Sequence, residues 1–185
     1  MERGKVFIEN LAKILESKGY SISDVNFSET PERVFSWIDN LLSLEEAREK
    51  ALGHLKKVFP SQYNGMIVFK DMRVNSFCPH HLLPVIYSID FAYIPDGFVL
   101  GLSKVYRYIS DYAKALMLQE DFTKRIVDLF VEYVNPKGVG VVVRGVHGCM
   151  KYRGVEEEIE VVTSSLYGLF YDQEVKVEFF KLIER

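Results

Sequence analysis

The chain has 185 residues, of which 48% are hydrophobic, 14% aromatic and 26% charged, and its formal net charge is −3 at pH 7. This length suits one ordinary domain with its own core, and the small acidic excess argues against bulk nucleic-acid binding, which depends on basic residues that neutralise phosphates. The sequence has no apolar leader and no run of about 18 apolar residues, so we expect a cytoplasmic protein.

Apolar residues recur at helical spacing through most of residues 1–65. Thr30 followed by Pro31 predicts the capped start of a second helix, and Ser43 is expected to cap a third. Turn-forming residues at 59–65 end the helical pattern. We therefore predict an N-terminal helical part, residues 1–65, within one structural domain.

The hydrophobic period shifts toward two after residue 65, which predicts strands. Residues 85–93 alternate, residues 139–146 are rich in β-branched side chains, and residues 159–163 resemble a further strand. Two helices are expected between the first two of these strands, the first of them capped by Ser103. The predicted class is α+β, with residues 66–185 forming the catalytic part.

The chain has only two cysteines, and each has histidine beside it. The two segments are Cys78-Pro79-His80-His81 and His147-Gly148-Cys149. Thiolate and imidazole are the ligands that Zn²⁺ prefers, so Cys78, His81 and Cys149 could hold a metal ion and leave one position for water, as catalytic sites do. A closed structural site with His80 or His147 as fourth ligand, or a disulfide between the cysteines, is also compatible with these residues.

Several short motifs follow one another from about Thr30 to the C-terminus. They are Thr30-Pro31-x-Arg33-Val34, Ser76-x-Cys78-x-His80-His81, Gly101-Leu102-Ser103-Lys104-x-x-Arg107, Gln119-Glu120 followed by Thr123, His147-x-Cys149, Arg153-Gly154, and Thr163-Ser164-Ser165 before Gly168-x-Phe170. In order and spacing they resemble the GTP cyclohydrolase I family, zinc enzymes of the tunnelling fold. The resemblance implies an antiparallel β-sheet with two helices packed on one face, preceded by N-terminal helices. It also implies hydrolytic opening of the imidazole ring of GTP, which gives 7,8-dihydroneopterin triphosphate and formate, in tetrahydrofolate or related pterin synthesis.

The same resemblance implies roles for the cysteines and histidines. Cys78, His81 and Cys149 would ligate zinc, and zinc would activate the water that attacks C8 of the purine. His147 is the expected acid toward N7, and His80 is expected to act on the later ring-opening and ribose steps.

The substrate-binding roles also follow from the resemblance. Glu120, with Gln119 beside it, would accept hydrogen bonds from N1–H and the exocyclic amine of guanine, although a glutamate at the start of a helix is also explained by the helix dipole alone. Ser103 would take part in the ribose rearrangement. The residues expected to bind the triphosphate, each of which could instead be a solvated surface residue, are Ser103, Lys104, Arg107, Lys151, Arg153 and Arg33.

Some positions depart from the family pattern, and most of the changes remove positive charge. They are Pro79, Ala115, Met117, Asp121 and Ser36. Fewer cations should weaken triphosphate binding, because each charge-assisted contact contributes about 1.5–3 kcal/mol. Two alternatives therefore stay open: a paralogue that acts on a different purine nucleotide or nucleoside, and a non-catalytic purine-binding assembly in which zinc only stabilises the fold.

A small sheet with helices on one face leaves its edge strands exposed unless neighbouring subunits cover them. The resemblance therefore implies a homo-oligomer, with a decamer as the expected assembly and the sites at subunit boundaries. We expect no nucleic acid and no membrane among the partners.

Overall fold

The computed structural model describes residues 2–42 and 44–184. By their internal contacts the residues form two compact units, Met1–Ser43 and Leu44–Arg185. The predicted boundary near residue 65 falls within the second unit, and the division into a helical part and a catalytic part stays a prediction.

The first unit contains helices α1 (Glu2–Ser17) and α2 (Thr30–Leu41). Phe7 of α1 and Phe35 of α2 lie in contact, with ring centroids 5.9 Å apart. The predicted cap at Thr30 is wrong by one residue, because Thr30 is already helical and Glu29 occupies the cap position. Pro31 lies in the first turn, where its missing N–H costs no hydrogen bond. The predicted cap Ser43 lies outside the described residues.

The second unit contains the remaining helices and strands in an α+β arrangement. In chain order they are α3 (Leu44–Leu55), β1 (Val58–Pro60), β2 (Ile67–Phe77), β3 (Pro84–Ile94), β4 (Phe98–Leu100), α4 (Leu102–Tyr112), α5 (Gln119–Val134), β5 (Gly138–His147), α6 (Gly148–Lys151), β6 (Glu160–Gly168), a short 3₁₀ helix (Leu169–Tyr171) and α7 (Gln173–Ile183). The α4 helix begins at Leu102 with Gly101 as its cap, so the prediction that Ser103 caps this helix is wrong.

Four antiparallel strands form the main sheet in the order β2-β3-β5-β6, and β1 pairs separately with β4. Every strand pair in the main sheet is antiparallel. The strand order makes β2 and β6 the two outer strands. The predicted antiparallel sheet is confirmed.

The two faces of the sheet are covered differently. On β3, alternate residues such as Tyr87, Phe91 and Tyr93 are buried in one cluster with side chains of α4 and α5, which confirms the predicted pair of helices on one face. The intervening residues Ala92 and Ile94 belong to a second cluster, together with residues of the 3₁₀ helix and α7. The helix α7 was not predicted from the sequence.

Among the described residues, no helix combines the length and the apolar character that a membrane span needs.

Candidate active site and metal centre

Strand pairing places the two cysteine-histidine segments at one end of the sheet. The β2–β3 connection begins after Phe77, which pairs with Pro84. The next residue of β3, Val85, pairs with His147 at the end of β5. Because β3 lies between β2 and β5, the two segments that are far apart in sequence become neighbours.

The connection between β2 and β3 is a tight turn closed on Cys78. The backbone N–H of Cys78 donates to the carbonyl of Leu83 (2.9 Å), and the N–H of Leu82 donates to the carbonyl of Cys78 (2.8 Å). Pro79 directly follows Cys78, where its fixed φ suits the first corner of the turn. Leu82 has a φ of 53°, in the left-handed region. Pro79 is therefore compatible with the turn that presents the metal-binding candidates.

Cys78, His81 and Cys149 each place one possible ligand atom within 4.8 Å of the other two. The Sγ atom of Cys78 lies 3.6 Å from Nδ1 of His81. Tetrahedral zinc, with Zn–S near 2.3 Å and Zn–N near 2.0–2.1 Å, would separate a sulfur and a nitrogen ligand by about 3.6 Å. Both thiols are free, so the disulfide alternative is not the arrangement present here. The three donor types, and the separation of Cys78 from His81, fit a zinc ion.

The electrostatics of the thiols favour a cation between them. Burial raises the pKa of the Cys149 thiol, and the hydrogen bond and charge of Cys78 raise it further, while the charge of Arg153 lowers it. Two adjacent thiolates repel each other, and a bound cation reverses that penalty. The cluster could therefore hold a metal ion.

The remaining two histidines beside the cysteines also reach this end of the sheet. Nδ1 of His80 lies 3.9 Å from Sγ of Cys78, and Nε2 of His147 lies 2.8 Å from Oε1 of Gln119. Burial lowers the pKa of His147, and the charge of Glu120 opposes that shift. Imidazole groups suited to proton transfer thus lie beside the metal-binding candidates.

A cavity of about 210 Å³ opens over the cluster. Its polar lining includes His80, Glu120 and His147, and its apolar lining includes Met117 and Val161. The cavity therefore combines apolar surface, which suits an aromatic ring, with groups that can exchange protons or accept hydrogen bonds.

Glu120 also borders a second cavity of about 480 Å³ between α5 and β6. That cavity includes Lys124, Asp128 and residues Thr163 to Tyr167 in its lining. The Glu120 side chain is exposed and stands at the first turn of α5. It is thus the carboxylate that joins the two cavities.

The residues expected to bind phosphate are more dispersed. Ser103, Lys104 and Arg107 belong to α4, and within the described part of the chain they are not in the lining of the cavity over the cluster. Ser103 and Arg107 are exposed. Their predicted convergence on one anion stays a prediction.

The other expected phosphate ligands have three different environments. Lys151 forms an ion pair with Glu158, which raises the pKa of the Lys151 amine. Arg153 is exposed. In the first unit, Arg33 forms an exposed ion pair with Glu29.

The positions that depart from the family pattern have different environments. Ala115 is buried and Met117 lines the cavity over the cluster. Asp121 instead lines a separate cleft of about 290 Å³, which also contains Arg48 and Arg125. Ser36 lies on α2 in the first unit. Of the departures in the second unit, Pro79 and Met117 therefore line the cavity over the cluster, and Asp121 does not.

Tyr87 also lines the cavity over the cluster, although the sequence pattern predicts it only as part of a strand. Its ring stacks on Phe122 at 5.2 Å and meets the His147 ring edge-on at 6.3 Å. Burial raises the pKa of Tyr87 to about 12, against the lowering effect of a hydrogen bond with Ser76. Its place in the buried alternation of β3 was the available sequence signal, but that alternation does not reveal the contact with His147.

An antiparallel sheet backed by two helices, with a Cys-His-Cys cluster at one end beside a histidine-lined cavity, defines an α+β protein with a candidate metal centre. The model of the family described as GTP cyclohydrolase I matches residues 7–184. The chain therefore belongs to the GTP cyclohydrolase I family, as the motifs indicated, and its fold is the tunnelling fold.

Curated relatives match over nearly their whole length. GTP cyclohydrolase 1 of Methylococcus capsulatus is 38% identical over 178 residues, which cover 94% of this chain and 95% of that protein. GTP cyclohydrolase 1 of Clostridium perfringens is 37% identical, with 95% of each chain covered. Among solved structures, the archaeosine synthase QueF-Like in the apo form has a TM-score of 0.46 and 21% identity, over 58% of this chain and 96% of that one.

Proposed function

We propose that this protein is a zinc-dependent GTP cyclohydrolase I. It would consume one water for each GTP and yield 7,8-dihydroneopterin triphosphate and formate. The observation that carries the proposal is the Cys78, His81 and Cys149 cluster, which lies at the end of the sheet beside a cavity that also contains His147 and Glu120.

Zinc is the proposed metal because the ligands are two thiols and one imidazole, which are donors that zinc prefers over calcium or magnesium. Three protein ligands leave a coordination position open, unlike a closed structural site. When bound, the ion would supply Lewis-acid activation of water near neutral pH.

The protein groups around the cluster have complementary proposed roles. His147 would supply the proton that N7 needs when water adds to C8 and the imidazole ring loses its aromaticity. His80, which is exposed in the same cavity, would transfer protons in the later ring-opening and ribose steps. Ser103 would take part in the ribose rearrangement.

Glu120 is the proposed guanine-binding residue. Its carboxylate borders the cavity over the cluster, where it could accept hydrogen bonds from N1–H and the exocyclic amine. The apolar side chains of Met117 and Val161 would lie against the purine ring. Gln119 stands beside Glu120, but it is only 4% exposed, and its side chain contacts His147, which favours an indirect role.

The triphosphate requires surface beyond this cavity. A volume of about 210 Å³ is smaller than the roughly 300–1,000 Å³ of typical ligand sites. We therefore propose that the triphosphate binds at a subunit boundary, where Ser103, Lys104 and Arg107 of one copy complete the site of a neighbouring copy. Lys151, Arg153 and Arg33 are the other proposed phosphate ligands. The two outer strands β2 and β6 support a homo-oligomer, because each offers an edge that another copy can pair with. A decamer is the proposed assembly.

A paralogue acting on a less phosphorylated purine is the second candidate, favoured by the loss of cationic side chains. Ala115 is buried and uncharged, and Asp121 lines a different cleft. Neither position is in the lining of the cavity where the base and the reacting carbon would bind. The losses therefore favour a protein that still opens the imidazole ring of GTP but binds the triphosphate more weakly.

The test is to incubate the zinc-loaded protein with GTP, GMP and guanosine, and to measure formate release together with the fluorescence of the oxidised pterin. The proposal predicts both products from GTP and neither from the Cys78→Ser variant. A preference for GMP or guanosine would support the paralogue. A folded, zinc-loaded protein that releases no formate from any of the three would support the non-catalytic assembly.

A further inference from the structure

The Gln119 side chain is buried next to His147 at the first residue of α5. Its Oε1 atom lies 2.8 Å from Nε2 of His147, and the residue is only 4% exposed. Whether the oxygen or the nitrogen of the Gln119 amide faces the ring decides whether Nε2 of His147 donates or accepts, and therefore the tautomer of the histidine.

The orientation of the Gln119 amide is decided by the strands beneath it. Its Nε2 atom donates to the carbonyl of Val161 (2.9 Å) and to the carbonyl of Val143 (3.2 Å). The reverse orientation would set the amide oxygen against two carbonyl oxygens and lose both bonds. Oε1 is therefore the atom that faces His147.

The donor and acceptor roles of two threonines support the same orientation of the Gln119 amide. Thr123 Oγ1 donates its one proton to the backbone carbonyl of Gln119 (2.7 Å). Thr163 Oγ1, which lies 2.6 Å from Thr123 Oγ1, must then donate to it. Thr163 Oγ1 can then only accept from Nε2 of Gln119 (3.2 Å), whose two protons are shared between this oxygen and the two strand carbonyls. This network again assigns the amide nitrogen to the strand side and the amide oxygen to His147.

Gly145 is the residue that makes room for this arrangement. A Cβ atom built on Gly145 would lie 2.3 Å from Oε1 of Gln119 and 2.9 Å from Cε1 of Tyr87. Both neighbouring side chains are buried. Because Gly145 has no side chain, the strand leaves room for the Gln119 amide that contacts His147.

We propose that Gln119 is a positioning residue that holds His147 as the Nε2–H tautomer. Oε1 has no proton to give, so Nε2 of His147 must donate to it. Nδ1 is then the ring nitrogen that gives the proton to N7: it does so from the doubly protonated ring, which returns to the Nε2–H tautomer. The part that concerns turnover rests on the proposed function, whereas the tautomer rests on the hydrogen bonds alone.

The first experiment is nitrogen NMR of the zinc-loaded full chain with ¹⁵N-labelled histidine, in which the His147 signals are assigned by their loss in a His147→Gln variant. The ring shifts distinguish a protonated nitrogen from a bare one. We expect a proton on Nε2 of His147. A neutral ring with the proton on Nδ1 would overturn the proposal.

The second experiment compares Gln119→Met, which removes the acceptor, with Gln119→Glu, whose carboxyl, kept protonated by burial, retains an acceptor for Nε2–H and one donor for the strand carbonyls. We expect kcat for GTP to fall about 10–100-fold in Gln119→Met with little change in KM, as for other residues that orient a catalytic group. Gln119→Glu should retain the Nε2–H signal and more of the turnover. Parent turnover in Gln119→Met, or a large rise in KM with kcat unchanged, would overturn the positioning role.

The two proposals fail in different ways. If the parent protein releases no formate from GTP, the proposed function fails, and the NMR spectrum of the parent still decides the tautomer. If formate is released and His147 carries its proton on Nδ1, the function stands and the role of Gln119 is refuted.

Discussion

Replacing Gly145 by alanine should both destabilise the protein and impair the site. The new Cβ would lie 2.3 Å from Oε1 of Gln119 and 2.9 Å from Cε1 of Tyr87, closer than real Cβ contacts. Overpacking in a buried position costs about 1–3 kcal/mol, and loss of the hydrogen bond between Gln119 and His147 costs about 0.5–1.5 kcal/mol. We expect the free energy of unfolding to fall by roughly 2–4 kcal/mol and kcat to fall about 10–100-fold.

The matched control is Gly53→Ala in α3. A Cβ atom at Gly53 would have no neighbour within 4 Å. Because alanine favours a helix over glycine, Gly53→Ala should raise the free energy of unfolding by about 0.5–1 kcal/mol. Urea denaturation at one protein and zinc concentration, with turnover of GTP measured in parallel, compares the two variants. Parent stability and parent kcat in Gly145→Ala would refute the packing of Gln119 over this strand.

Three further predictions concern the metal, the base and the pH dependence of stability. Cys149→Ser should weaken zinc binding by at least about 10–100-fold, measured as zinc retained after dialysis; a variant that retains zinc as the parent does would exclude Cys149 as a ligand. Glu120→Gln should lower kcat/KM for GTP by roughly tenfold or more, while Asp121→Asn, in the same helical turn, should change it by less than about twofold; equal effects would reduce Glu120 to a helix-dipole role. For Asp111, burial raises the carboxyl pKa but hydrogen bonds from Lys114 and His54 and nearby lysine charge outweigh it, so the net pKa is lowered. Asp111 therefore contributes stability above its unfolded pKa of about 3.9, and that contribution is lost as pH falls through the lower folded pKa. Asp111→Asn should cost roughly 1–2 kcal/mol at pH 7 and progressively less below about pH 4 in denaturation experiments, and a cost independent of pH would contradict the ionic contribution.

Much of the fold could be predicted because local patterns agree with the tertiary structure. The alternation on β3 is strong, since its buried members Tyr87, Phe91 and Tyr93 all face α4 and α5. Helix starts were less accurate, because the cap position depends on backbone geometry: Gly101 caps α4 although Ser103 has the better capping side chain. The helix α7 was not predicted. It packs in the second cluster, on the other face of the sheet, and that cluster brings together residues that are distant in sequence.

The metal cluster was predictable for a chemical reason. Cysteine and histidine are rare in this chain, so their coincidence in two short segments carries information that a common residue type would not. The role of Gln119 was not predictable, because it depends on carbonyls of β5 and β6 and on the empty space at Gly145. Sequence adjacency to Glu120 suggested a direct contact with the purine, whereas the burial of the side chain favours a contact with His147.

The most direct test of the zinc-dependent ring-opening activity is the yield of formate and pterin from GTP by metal-free and zinc-reconstituted protein. The proposed function predicts that the metal-free protein forms neither product and that zinc restores both in equal amounts, because each GTP loses one formate. Equal turnover with and without zinc, or no formate from a folded and fully reconstituted protein, would contradict it.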